Sequence, residues 1–132
     1  MKRTAQCCCG AITLEVAEEP MQHSICHCNN CKKRTGSAFG LSAYFHRDTV
    51  KFVSGTPSCY QLTNPNDGAD QKRYFCSNCG TTLYWSVSSL PEFIGIAGGC
   101  FINQALAKPT HSASHSNKYS WLEVPSDIET NG

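Results

Sequence analysis

Three cysteines and a histidine occupy six positions in CHCNNC, residues 26–31. FCSNCG carries a further pair, Cys76 and Cys79, and CCCG near the start holds Cys7, Cys8 and Cys9. Thiols at such spacings serve as disulfide partners, redox dithiols or metal ligands. Cys76-x-x-Cys79 followed by Gly80 has the form of a zinc knuckle. The two-residue spacer lets both thiolates face one ion, and the glycine permits the tight turn beneath it. A redox dithiol of the same spacing starts a helix in an α/β fold, and no helical pattern follows Cys79. A structural zinc takes four ligands, so a second pair must come from elsewhere.

Two donors compete for that role. Cys7 and Cys9 form C-x-C, also followed by glycine; Cys26, Cys28 and Cys31 form C-x-C-x-x-C. Two plus two closes a four-thiolate site. The three that remain leave an open position, which is the stoichiometry of a catalytic zinc. Pairing two of the CHCNNC cysteines with Cys76 and Cys79 instead leaves both clusters short. Spacing and valence favour the first arrangement. His27 stands between two better ligands, which suits a hydrogen-bonding role beside the metal rather than ligation. Cys8, in an extended segment, points away from Cys7 and Cys9. Cys59 and Cys100 stand alone in apolar stretches and read as buried free thiols. His111 and His115 read as surface-loop residues, and Trp85 and Trp121 as core.

The elements that must position these groups are mostly strands. AITLEV alternates, with Ile12, Leu14 and Val16 on one face. GLSAYFH places Leu41, Ala43 and Phe45 together. TVKFVSG and CYQLT read as strands joined near Gly55 and Pro57; KRYFC, TTLYWSV and EFIGIAGG complete the set. Only NNCKKR and INQALA suit a helix of a turn or two. Residues 63–71 form a polar loop, and the tail PSDIETNG reads as frayed. The expectation is one mainly β domain over residues 1–132, built of short antiparallel strands.

The chain has 132 residues, enough for one core. Eleven basic and 10 acidic side chains give a formal net charge of +1, which argues against a phosphate-neutralising surface and so against nucleic acid. No apolar run reaches the roughly 18 residues a spanning helix needs, and the N-terminus lacks a signal-peptide core. The reading is a cytoplasmic protein without a membrane partner, monomeric or homodimeric. Ten cysteines in a reducing compartment are best used on metal.

CCCGAITLEV, CHCNNCKKRTGSAF, FCSNCGTTLYW and PTHSASHSNKYSWLEV, in that order, resemble the glutathione-dependent formaldehyde-activating enzymes, a family that also includes centromere protein V. The resemblance runs from about residue 7 to about residue 124. It implies an all-β tent of antiparallel sheets stapled by zinc. It implies a structural zinc on Cys7, Cys9, Cys76 and Cys79 and a catalytic zinc on Cys26, Cys28 and Cys31, up to two ions in all. The implied activity is carbon–sulfur lyase chemistry on a glutathione adduct of an aldehyde, such as formation of S-hydroxymethylglutathione from formaldehyde. The sequence departs from the family pattern at Ala5, where a glycine is common, and in the extra Cys8. A trithiolate zinc is a modest Lewis acid that keeps a bound thiol deprotonated and nucleophilic. Lys32, Lys33 and Arg34 adjoin the motif and suit the two carboxylates of glutathione; a solvated turn is the plainer reading. A zinc-stapled interaction module without enzymatic activity is the alternative, and it expects the second site to be absent or closed by a protein ligand.

Overall fold

The computed structural model describes residues 2–65 and 67–132. In chain order the elements are β1 (Arg3–Gln6), β2 (Thr13–Val16), β3 (Gln22–Cys26), helix α1 (Asn29–Thr35), β4 (Gly40–His46), β5 (Val50–Ser54), β6 (Ser58–Thr63), β7 (Asp70–Phe75), β8 (Thr82–Val87), β9 (Phe93–Ala97), β10 (His111–Ala113) and β11 (Glu129–Thr130). They form a three-stranded sheet, β1-β2-β5, and an eight-stranded sheet, β11-β10-β3-β4-β9-β8-β7-β6. The protein is mainly β, as the alternation of its segments predicts.

The core lies between the two sheets. Leu14 and Val16 from the small sheet, with Ile12 just before β2, are buried with Ala43, Phe45, Leu83, Ile94 and Ile96 from the large one. Side chains one residue apart on a strand face opposite ways, so the neighbours of core residues Phe45 on β4, Tyr84 on β8 (past a register shift at Leu83) and Ile96 on β9 face away from this core. Those positions include Tyr44, Trp85 and Gly95, and Trp85 sits in a second buried cluster with Val87 and Ala97.

Each thiol pair of the first site sits on a hairpin tip of the same design. In the β1–β2 tip, Gly10 N–H donates to the Cys7 carbonyl (3.0 Å) and Cys7 N–H to the Ile12 carbonyl (3.1 Å). In the β7–β8 tip, Gly80 N–H donates to the Cys76 carbonyl (2.8 Å) and Cys76 N–H to the Thr81 carbonyl (3.0 Å). Gly10 and Gly80 have φ of +79° and +80°, a region in which a side chain is strained.

Several local expectations need correction. INQALA contains no helix; Ile102 is exposed, and the segment is irregular. The tail is not frayed, because Glu129–Thr130 pairs in parallel with β10, and β10 in turn pairs in parallel with β3. The strands are therefore not all antiparallel. Cys59 is exposed, since β6 is the edge of its sheet, and Cys100 is only half-buried. Trp121 is 70% exposed and stacks on Tyr119 instead of entering the core. Cys8 is exposed, but it lies in a turn and not in an extended segment. His111 and His115 lie on or beside β10 with defined partners, not in a free loop. Residue 66 of the expected polar loop lies outside the described residues.

Candidate metal centres and the cavity beside them

The two hairpin tips meet. Cys9 Sγ lies 3.8 Å from Cys7 Sγ and 3.7 Å from Cys76 Sγ. The four thiols of Cys7, Cys9, Cys76 and Cys79 all lie within 4.8 Å of one another. Cys8 N–H donates to the Thr81 hydroxyl at 3.0 Å and locks one tip to the other. Ile12 N–H points at Cys7 Sγ (3.3 Å), and the Thr81 hydroxyl lies 3.3 Å from Cys79 Sγ. Hydrogen bonding from the Thr81 side chain, helped by nearby backbone N–H groups, pulls the Cys79 thiol down to about 5. Four soft thiols at mutual tetrahedron-edge distances, with N–H donors aimed at sulfur, fit a Zn²⁺ ion.

Cys26, Cys28 and Cys31 form the second cluster, also with all sulfurs within 4.8 Å. Cys26 ends β3, Cys28 caps α1, and Cys31 lies in its first turn. The Cys28 sulfur accepts the Cys31 N–H at 3.2 Å, so the cap of the helix is itself a candidate ligand. Helix α1 is short, ends on left-handed Gly36 (φ 64°) and buries no residue. A helix of seven residues is not stable alone, so its contacts must hold it. Hydrogen bonds from the Cys26 and then the Cys31 side chains pull the Cys28 thiol far down, to about 2. The same bonds push the other two up, Cys26 through Cys28 and Cys31 chiefly through Cys26. The donor set fits zinc with one position left, and no fourth His, Cys, Asp or Glu joins the group among the described residues.

All three cysteines line a cavity of about 380 Å³. Its wall is mostly uncharged and polar, with Ser24, Ser42, Asn30, Gln71 and Tyr44; among the described residues, Asp67 is the one charged side chain that lines it. Tyr44 was not legible as a site residue. Its oxygen accepts the Trp85 Nε1–H at 3.2 Å, which leaves its own proton free, and burial raises its pKa.

His27 is fully buried between Cys26 and Cys28, and its Nε2 meets the Ser112 hydroxyl at 2.9 Å. The same hydroxyl meets His115 Nδ1 at 2.8 Å. One hydroxyl can donate to one ring and accept from the other. Burial first, then the neighbouring His115, lowers the His27 pKa. His27 N–H also donates to the Ala113 carbonyl, and Asn117 Nδ2 donates to the His27 carbonyl. The C-terminal segment thus clamps the CHC turn.

The basic run lies outside the cavity that the three cysteines line, and none of Lys32, Lys33 and Arg34 is in its wall. Lys32 donates to the Asn117 carbonyl (2.7 Å) and lies 3.8 Å over the Tyr119 ring. Arg34 lies 4.3 Å over the Trp85 ring. Lys33 is exposed.

The chain is a mainly β protein that gathers one four-thiol and one three-thiol cluster, two sets of side chains that could each hold a metal ion. The model of the glutathione-dependent formaldehyde-activating enzyme family matches residues 2–117, and the chain belongs to that family. A relative from Halomonas elongata, named as a candidate member, is 28% identical over 131 residues, covering 91% of this chain and 79% of its own. One from Podospora anserina, named likewise, is 27% identical over 70% of this chain and 43% of its own. An uncharacterized lyase of Schizosaccharomyces pombe is 31% identical over 63% of this chain and 56% of its own. The chain thus spans about half the length of the last two. A Rhodobacter sphaeroides protein of known crystal structure shares the fold, with a TM-score of 0.60, 23% identity, and coverage of 76% of this chain and 89% of that one. No helix among the described residues is long and apolar enough to cross a membrane.

Proposed function

We propose that this single-domain chain is a zinc-dependent carbon–sulfur lyase-type enzyme that joins a thiol, glutathione or a relative, to an aldehyde such as formaldehyde. The observation that carries this reading is the three-thiol cluster in the wall of a polar cavity, with no fourth protein ligand among the described residues. In this reading Cys7, Cys9, Cys76 and Cys79 hold a structural zinc, and Cys26, Cys28 and Cys31 hold a catalytic one. Zinc on three thiolates would supply a modest Lewis acid that keeps an incoming thiol deprotonated.

The chain's own residues do the rest. The substrate thiol releases its proton to solvent, its sulfur attacks the carbonyl carbon, a C–S bond forms, and the C=O π pair moves to oxygen. The Tyr44 hydroxyl, with its acceptor side occupied by Trp85, donates a hydrogen bond to that oxygen as charge develops. The oxygen then takes a proton from solvent, giving the hydroxymethyl thioether. Ser24, Ser42, Asn30 and Gln71 offer uncharged partners to the peptide groups of the thiol. Lys33, exposed and without an ion pair among the described residues, is the member of the basic run left to meet a carboxylate. A reducing, cytoplasmic setting suits so many free thiols.

The test is exchange spectroscopy with ¹³C-formaldehyde and glutathione. Zinc-loaded protein is expected to accelerate interconversion of free and glutathione-bound formaldehyde, and Cys31→Ser to lose the acceleration. Equal rates with and without wild-type protein would reject the reading.

A further inference from the structure

Strand register sets one row of side chains across the sheet face that looks away from the main core. Tyr60 stands opposite Arg73, Arg73 opposite Trp85, Trp85 opposite Gly95, and Gly95 opposite Tyr44. Directly opposed residues share a face. Gly95 leaves room for the indole, since a Cβ there would lie 2.2 Å from Trp85 Nε1. Arg34 comes down from α1 onto the same indole. Gly40 serves a similar purpose, because a Cβ there would lie 2.6 Å from Arg34 Nη2 and 3.2 Å from Cys31 Cβ. The guanidinium and the Cys31 side chain therefore meet over Gly40.

Neither arginine has an obvious counter-ion. Arg73 is only 9% exposed. Arg34 Nη2 and Arg73 Nε are buried without a hydrogen-bond partner. The ion pairs among the described residues involve Lys2, Arg3, His46, Lys108 and His111, and never these two. Arginine stays charged in proteins, and a buried charge without a partner is costly. Apart from burial and the repulsion of Arg34, the groups that act on Arg73 are the thiols of Cys31 and Cys28 and, after them, the Tyr60 hydroxyl.

We propose that Arg34 and Arg73 are positioning residues that supply the counter-charge of the three-cysteine site. Three thiolates and one divalent cation carry a net negative charge, which rises when a substrate thiolate joins. Two guanidiniums, one stacked on Trp85 and one on the strand position opposite it, offset that charge without entering the cavity. This role rests on the reading of Cys26, Cys28 and Cys31 as a zinc site. A role as a substrate-carboxylate site fits less well, because neither arginine lines the cavity and Arg73 is almost wholly buried.

The test is competitive zinc removal by a chromogenic chelator at one fixed neutral pH. It compares wild type, Arg34→Met, Arg73→Met, Arg34→Lys, Arg73→Lys and Cys31→Ser. The release step missing from Cys31→Ser identifies the three-cysteine site. In both Met variants that step is expected to weaken by about 10- to 100-fold, the usual cost of losing a supporting group around a metal. The Lys variants should restore much of it, and the other step should not move. Should Arg73→Met not fold, Arg34→Met, on a half-exposed helix position, carries the comparison. Met variants that release zinc like wild type would overturn the proposal and leave the zinc reading intact. So would normal zinc affinity combined with weakened binding of glutathione but not of cysteamine, which lacks carboxylates. A wild type without the step would remove the zinc reading and the proposal together.

Discussion

The sulfurs of Cys9 and Cys76 lie 3.7 Å apart, although 67 residues separate them in the chain. This contact joins the tip of the small sheet to the tip of a hairpin in the large one. A metal there closes a long loop, so its loss returns much conformational freedom to the chain. Structural zinc contributes roughly 10 kcal/mol of apparent binding free energy in small zinc domains, against about 5–15 kcal/mol of net stability in a typical domain. Cys76→Ser is therefore expected to unfold the protein or leave it insoluble. Circular dichroism melting checks this, and a wild-type melt would count against the four-thiolate staple.

Gly95→Ala places a methyl where the indole of Trp85 now lies. The ring must leave its hydrogen bond to Tyr44 or the strand must shift, and overpacking of this kind costs about 1–3 kcal/mol. A lowered urea midpoint with altered near-ultraviolet dichroism is expected. An unchanged spectrum would show that the ring is not confined as described.

The row that contains Trp85 marks where sequence reading stops. Alternation exposed the strands carrying Leu14 and Phe45, because one face of each is apolar, and β-rich composition exposed the one carrying Ile96, which is buried on both faces. The cysteine clusters were legible because ligand spacing is a local property. Tyr44 and Arg73 reach the three-cysteine neighbourhood only through the pairing of β7, β8, β9 and β4, and no local signal reports register across strands. Cys59 shows a similar gap, since periodicity marks a strand without marking an edge. His111–Ala113 and Glu129–Thr130 are too short to show any period, so their parallel pairing beside the CHC motif was invisible.

His23 gives a pH signature. Burial lowers its pKa below the ordinary 6.5, and its Nδ1 lies 3.0 Å from the Ala107 carbonyl while its Nε2 is buried without a partner. The folded chain thus binds this proton less readily than the unfolded chain. Its effect on stability is flat above the unfolded value and becomes unfavourable as pH falls below it. Wild type is expected to lose more stability than His23→Gln between neutral and mildly acidic pH, measured by urea unfolding. Parallel losses would show that His23 is not held neutral.

Tyr44→Phe keeps the ring and removes the hydroxyl. Loss of one donor to a developing oxyanion costs about 10²- to 10³-fold in turnover. The variant should exchange formaldehyde that much more slowly while keeping wild-type zinc content and glutathione affinity. Full activity would exclude Tyr44 from the chemistry.

Elemental zinc analysis of wild type and Cys31→Ser, both purified without chelator and both shown to be folded, bears most directly on the division between a closed site and an open one. The four-thiol cluster and the three-thiol cluster predict close to two zinc ions per wild-type chain and one per Cys31→Ser chain, the remaining ion in the variant being the tightly held one. One ion in both proteins, or folded wild type with none, would contradict the account.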